Sequence, residues 1–207
     1  MNSITFALSF FEPLITALTH PNIPWPHRWR LVPLQLASFP ISIHAYLTSP
    51  KHQVIHIPTR SKHHLRAIVF TPTNPQPPNP RPLHIDFHGG AFLGGIAEYD
   101  ASFCALLRDR SSAVVVSVQY RHAPANVYPA AHEDAEDAVE WLMANAKELW
   151  NADPGILTVS GFSAGANLMM VAGRRTKAAV GFYAPVSLEV WKSGFYSPLD
   201  LYASVMT

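Results

Sequence analysis

Cysteine is nearly absent from this 207-residue chain. Cys104 is the only one, so no disulfide can form within it. A disulfide framework is excluded, and a reducing compartment is compatible. Cys104 has no cluster of further cysteines or histidines around it, so no zinc-ligand spacing exists and it reads as a small core residue. Charge is scarce too: charged residues make up 14%, the net charge is +1, and no run of five Lys and Arg occurs. A nucleic-acid binder needs a basic patch to neutralise phosphates, so no nucleic-acid partner is expected. Hydrophobic residues make up 48%. That composition is the reverse of a disordered chain and supplies one sizeable core.

The N-terminus lacks what a leader or a membrane span requires. No Lys or Arg precedes Arg28, and Glu12-Pro13 interrupts the apolar run ITFALSFFEPLITAL. A signal peptide wants a basic start and a small-residue cleavage site, and a spanning helix wants about 20 uncharged apolar residues. Residues 1–18 read instead as a short apolar helix that caps a core or pocket. A cytoplasmic location and no membrane partner are the expectation. Secretion, or association with a membrane surface through residues 1–18, is the alternative.

Residues 20–50 carry scattered prolines, Trp25 and Trp29 with no clear period, which predicts irregular structure with one short helix at most. Residues 1–50 are therefore set apart as a cap. His52 to Pro58 and Leu65 to Thr71 read as strands. Six of the eleven residues from Pro72 to Pro82 are proline, so neither strand nor helix is expected there. Leu83 to Phe87 and Ala113 to Val118 are strands, the second a β-branched run suited to burial on both faces. Tyr99 to Arg110 reads as a helix with Phe103, Leu106 and Leu107 on one side. Ala130 to Trp150 is the best helix, with Ala135, Val139, Leu142, Ala146 and Leu149 at three- and four-residue steps. Its acids Glu133, Asp134, Glu136 and Asp137 read as helix start and solvated face. After a turn at Asp153-Pro154-Gly155 come a strand at Ile156 to Ser160, a helix at Ala164 to Arg174 and a strand at Ala178 to Ala184. Strands alternating with helices predict an α/β fold, a mostly parallel sheet with helices on both faces.

Gly161-Phe162-Ser163-Ala164-Gly165 falls between one of these strands and the next helix. G-x-S-x-G in that context is a nucleophile elbow, a sharp turn that lifts a serine hydroxyl above the sheet. The N–H of Ala164 then points toward an oxyanion on a group bound to Ser163. His88-Gly89-Gly90-Ala91 follows another strand, where serine hydrolases place further oxyanion donors. Gly89 and Gly90 are the expected donors, and His88 the residue that holds the loop.

Four blocks carry a resemblance to a known family: HGGAF at His88 to Phe92, YRHAPANVYPAAHEDAEDAVEWL at Tyr120 to Leu142, DPGILTVSGFSAGANL at Asp153 to Leu168 and AAVGFYAP at Ala178 to Pro185. The chain resembles the hormone-sensitive-lipase-like group of α/β-hydrolases, the fold-3 family of esterases and lipases. The resemblance implies the α/β-hydrolase fold and hydrolysis of carboxylic esters without metal or cofactor. Ala91 stands where members usually have a third glycine, Phe162 where Asp is common, and His122 where Leu is common. Ala91 keeps its N–H and is small, so little loss is expected from it.

One element of that chemistry is missing. The serine needs a base, and an acid to orient the base. All eleven histidines lie at or before His132, and only Glu189 and Asp200 follow Ser163 as acids. His88, His122 and His132 read as loop or core residues, and Glu189 and Asp200 as surface. No triad acid or histidine is found. The resemblance therefore implies a C-terminally truncated hydrolase with its last strands missing, residues 51–207 forming a partial domain. The expected partner is a small apolar ester, with Phe11, Trp25, Phe92 and Phe162 hinting at an apolar pocket. Activity is expected to be absent or very weak. A non-catalytic remnant that binds a small ligand or a protein, or a non-functional fragment, is the alternative.

Overall fold

A computed structural model describes residues 11, 14–16, 18, 19, 21, 25–74 and 80–185, apart from the side chains at 26, 27, 29, 30, 34 and 174. The readings for most of residues 1–18, for the middle of the proline run and for Glu189 and Asp200 lie outside these residues. The elements are α1 (Trp25–Thr48), β1 (Gln53–Pro58), β2 (His64–Phe70), β3 (Arg81–Phe87), α2 (Ala101–Ser111), β4 (Val114–Val118), α3 (Ala130–Trp150), β5 (Ala152–Phe162), α4 (Ala164–Leu168) and β6 (Ala178–Phe182). A 3-10 turn at Ala97–Asp100 leads into α2, and a second at Met169–Arg175 continues α4.

The six strands form one sheet in the order β1-β2-β4-β3-β5-β6. β1 and β2 are antiparallel to their neighbours, while β4, β3, β5 and β6 run parallel. This is the mostly parallel α/β sheet expected. Strand alternation divides the core. Val114, Val116 and Val118 face one side with Leu83, Ile85 and Leu157, where α3 packs Ala135, Val139, Leu142 and Ala146. Val115 faces the other side with Ile68 and Phe70, where α2 packs Ala101, Cys104 and Ala105. Each large side chain removed from water here contributes about 2 kcal/mol.

Several local expectations are corrected. Residues 25–48 form a single helix with Pro33 and Pro40 inside it, not irregular structure. Helix α2 turns Ala101, Cys104 and Ala105 inward and leaves Leu106 exposed. Helix α3 buries four of its five periodic residues but exposes Leu149. Its Asp134, read as solvated, is fully buried. Pro82 lies within β3 despite the proline run. It pairs with Asp153, and Leu83 next pairs with Leu157, so the Asp153-Pro154-Gly155 turn bulges out of β5 at that point. A proline is tolerated at such a bulge because the ladder is already interrupted. The helix expected over residues 164–174 is regular only to Leu168, and Gly173, at φ 45°, breaks the turns that follow.

Candidate active site

The site is assembled where β3 and β5 end side by side. β5 runs out at Phe162, and Ser163 takes φ 51° and ψ −116°, a backbone state that L residues rarely adopt. Its N–H donates to Phe182 O (2.9 Å), and its carbonyl accepts from Ala166 N (3.0 Å). The turn can be this sharp because its flanks lack side chains. A Cβ on Gly165 would fall inside the backbone oxygens of Phe87 and His88, and one on Gly161 inside that of Gly165. These contacts press the start of α4 onto the end of β3.

The loop after β3 lies against that turn. A Cβ on Gly89 would sit 3.2 Å from Phe162 O and 3.6 Å from Ser163 Cβ, so Gly89 faces the Phe162–Ser163 turn across a narrow gap. Leu93 N donates to Gly90 O (2.9 Å), closing the loop. Ala91 and Phe92 have φ of 54° and 56°. The left-handed state at Ala91 explains why glycine suits this position, and its alanine carries about 1 kcal/mol of strain.

His88 braces the loop from beneath. Its Nδ1–H donates to Gly89 O (2.6 Å), Tyr120 OH donates to His88 O (2.9 Å), and the two rings stack with centroids 4.5 Å apart. Burial holds the His88 pKa down to about 4, so the ring is neutral. His122 lies edge-on to His88 at 5.7 Å. Its Nε2 is shut off from solvent without a hydrogen-bond partner, and burial, then His88, lowers its pKa to about 3. His132 Nε2 pairs with Asn167 Oδ1 at 3.0 Å. Among the described residues no histidine hydrogen-bonds to the Ser163 hydroxyl. None of them groups three or more His, Cys, Asp or Glu as a metal site either.

Sequence reasoning missed three supports. Tyr120 holds the loop through its hydroxyl, a role that the pattern YRHAP alone does not show. Asp86, fully buried two residues before His88, accepts from Ser160 Oγ (2.5 Å), and His84 Nε2 reaches the same hydroxyl (2.8 Å). Burial lowers His84 to about 4, so its ring is neutral, and pushes the Asp86 carboxyl up to about 6, so it still ionises near neutral pH, held by its hydroxyl donors. Helix α1 is the third. Gln35 Nε2 donates to Leu93 O (2.6 Å), and Ser42 Oγ meets Tyr99 OH (2.7 Å). Between α1 and the loop is a cavity of about 240 Å³, lined in part by Ile41, Gly90, Ala91, Leu93 and Tyr99. Of the aromatics expected at a pocket, Phe92 is buried, Phe162 stacks on Phe182, and Phe11 and Trp25 are exposed.

Comparison with known proteins places this geometry. Residues 84–190 match the family model described as alpha/beta hydrolase fold. The chain is 36% identical over 110 residues to esterase LipI of Mycobacterium tuberculosis, covering 53% of this chain and 34% of that protein. It is 36% identical over 121 residues to probable carboxylesterase 6 of Arabidopsis thaliana, covering 56% of this chain and 36% of that one. Among solved structures it is similar to an esterase of Pyrobaculum calidifontis, with a TM-score of 0.64 and 28% identity, covering 84% of this chain and 68% of that one. The chain spans about a third of the length of these two curated relatives.

Proposed function

The chain belongs to the α/β-hydrolase fold family, and on that premise we propose that it carries the acyl-transfer centre of a carboxylic ester hydrolase. One observation carries the reading: the Gly89 loop faces Ser163 across a narrow gap, and Ser163 stands at φ 51° where β5 ends. In this reading Ser163 Oγ attacks the ester carbonyl carbon, and the carbonyl pair moves onto oxygen. The N–H groups of Gly89, Gly90 and Ala164 receive that oxyanion. The bond to the alcohol then breaks, the alcohol leaves with a proton, and water cleaves the acyl-serine. His88, neutral, positions the loop through Gly89 O and touches no reacting atom. No metal or cofactor is assigned a step.

A small apolar ester is the substrate class proposed. It is supported by the mostly apolar space of about 240 Å³ beside Gly90, which borders the glycine loop rather than Ser163 itself, and by relatives that are an esterase and a probable carboxylesterase. Residues 1–50 serve as a cap on the partial hydrolase domain of residues 51–207, held by the Gln35 and Ser42 hydrogen bonds.

Among the described residues no histidine hydrogen-bonds to the Ser163 hydroxyl as a base would. No histidine follows His132 in sequence. Loss of a triad histidine costs about 10⁶-fold in kcat in the best-measured serine triad. The expected turnover of this chain on nitrophenyl butyrate is therefore far below about 1 s⁻¹ near neutral pH. Free imidazole, a diffusible base, should raise it above the rate of imidazole without protein, and that excess should vanish in Ser163→Ala. Fast turnover without imidazole would contradict the missing base. An imidazole effect of equal size in both proteins would contradict Ser163 as nucleophile and favour a non-catalytic binding role.

A further inference from the structure

Among the described residues, helix α1 leaves an apolar face exposed. Its inner side buries Leu31, Gln35 and Ser42. The opposite side presents Trp25, Leu36, Pro40, Ile43 and Leu47, which helical geometry aligns in one stripe. All five are exposed, Trp25 at 62%, Leu36 at 56% and Leu47 at 73%. No Asp, Glu, Lys or Arg occurs from Leu31 to Pro50. Single exposed hydrophobics are ordinary, but a stripe along a stretch of helix free of charge from Leu31 onward marks an interaction surface.

Charge identifies the occupant. From Pro13 to Ile85 the chain has no acidic residue, while Arg28, Arg30, Lys51, Arg60, Lys62, Arg66 and Arg81 fall in that span. Arg60 and Arg66 pair with acids from later elements, Asp137 and Glu136 for the first and Glu98 for the second. Arg28 and Arg30 lie in the first turns of α1, with the Arg28 guanidinium 6.0 Å from the centroid of the Trp25 ring. Lys51 is exposed just beyond the other end. A second copy of this chain would set the same basic flanks against each other, which opposes self-association. An anionic lipid surface complements both features, because acyl tails accept the stripe and headgroups accept the flanking cations. Among the described residues no helix is long and apolar enough to cross a membrane, so α1 would lie in the plane of the interface.

We propose that α1 seats the chain on anionic lipid, with the stripe from Trp25 to Leu47 immersed at the headgroup boundary. Seating uses neither Ser163 nor the glycine loop. The test is co-sedimentation of the whole chain with phosphatidylcholine vesicles and with vesicles of equal parts phosphatidylcholine and phosphatidylglycerol. The chain should bind the mixed vesicles more strongly, and added salt should weaken that binding. The triple variant Leu36→Glu, Ile43→Glu, Leu47→Glu should lose roughly tenfold or more of the bound fraction. Absence of wild-type binding, or equal binding by the variant, overturns the proposal. So does gel filtration showing a wild-type dimer that the variant dissolves, since a second copy would then cover the stripe. Should the variant fail to fold, bromine-labelled lipid provides the readout on wild type. Quenching that disappears in Trp25→Phe supports the proposal, and no quenching overturns it.

Discussion

His122 is the residue whose chemistry fits its place least. Its Nε2 has no partner among the described residues, and the ring faces His88 at 5.7 Å. Leaving a polar group buried and unpaired costs about 1–3 kcal/mol. His122→Leu, the residue common at this position in the resembling family, should therefore raise stability by about 1 kcal/mol at pH 7. The pH dependence has a definite sign. The folded-state pKa is lowered to about 3 from 6.5, so the folded ring stays neutral where the unfolded one takes a proton. Its share of stability is intact above pH 6.5 and is lost as pH falls from there toward 3. The raised carboxyls of Asp86 and Asp100 act in the opposite sense, but they are common to both proteins. Urea titrations of wild type and variant at pH 7 and pH 5 should show a gap that widens at pH 5. A constant gap, or a more stable wild type, would remove this account of His122.

The residues of the candidate site were legible at this same scale because a turn that admits no Cβ writes itself as glycine. Gly161, Gly165 and Gly90 each face backbone that a side chain would strike, and Gly89 leaves little room for one. Tyr120 and Asp86 were not legible, because one hydroxyl and one carboxylate acquire their roles only when β3, β4 and β5 come together.

At the scale of elements, periodicity placed α3 correctly but overextended its buried face by one residue. Leu142 is fully buried while Leu149, one heptad on, is half exposed where the helix runs past the sheet. Leu142→Ala should cost about 3 kcal/mol, and Leu149→Ala less than about 0.5 kcal/mol beyond its propensity effect. Thermal or urea unfolding measures both, and equal losses would mean that α3 packs differently along its last two turns. Helix α1 was illegible for a physical reason. Pro33 and Pro40 each remove a helical donor, and isolated propensity then argues against a helix. Tertiary contacts through Leu31, Gln35 and Ser42 hold it in place nonetheless.

At the scale of the whole molecule, strand and helix alternation foretold a parallel sheet, and the order β1-β2-β4-β3-β5-β6 brings the ends of β3 and β5 together. That adjacency joins two motifs 75 residues apart, His88 and Ser163, into one site. Sequence spacing left open which strands would be neighbours, since the order of a sheet depends on long-range pairing. The same packing gives the molecule two unlike parts, a helix with an exposed apolar stripe whose only charged residues lie in its first turns, and a sheet with an apolar core on both faces.

The central claim is that Ser163 is an acceptor for an acyl group and that this chain has no base to release it. Intact mass and peptide mapping after incubation with nitrophenyl butyrate and imidazole test both halves at once. A single butyryl group on Ser163, absent from Ser163→Ala and slow to leave once imidazole is removed, is the predicted result. No adduct, or an adduct spread over lysines with Ser163 unmodified, would contradict it.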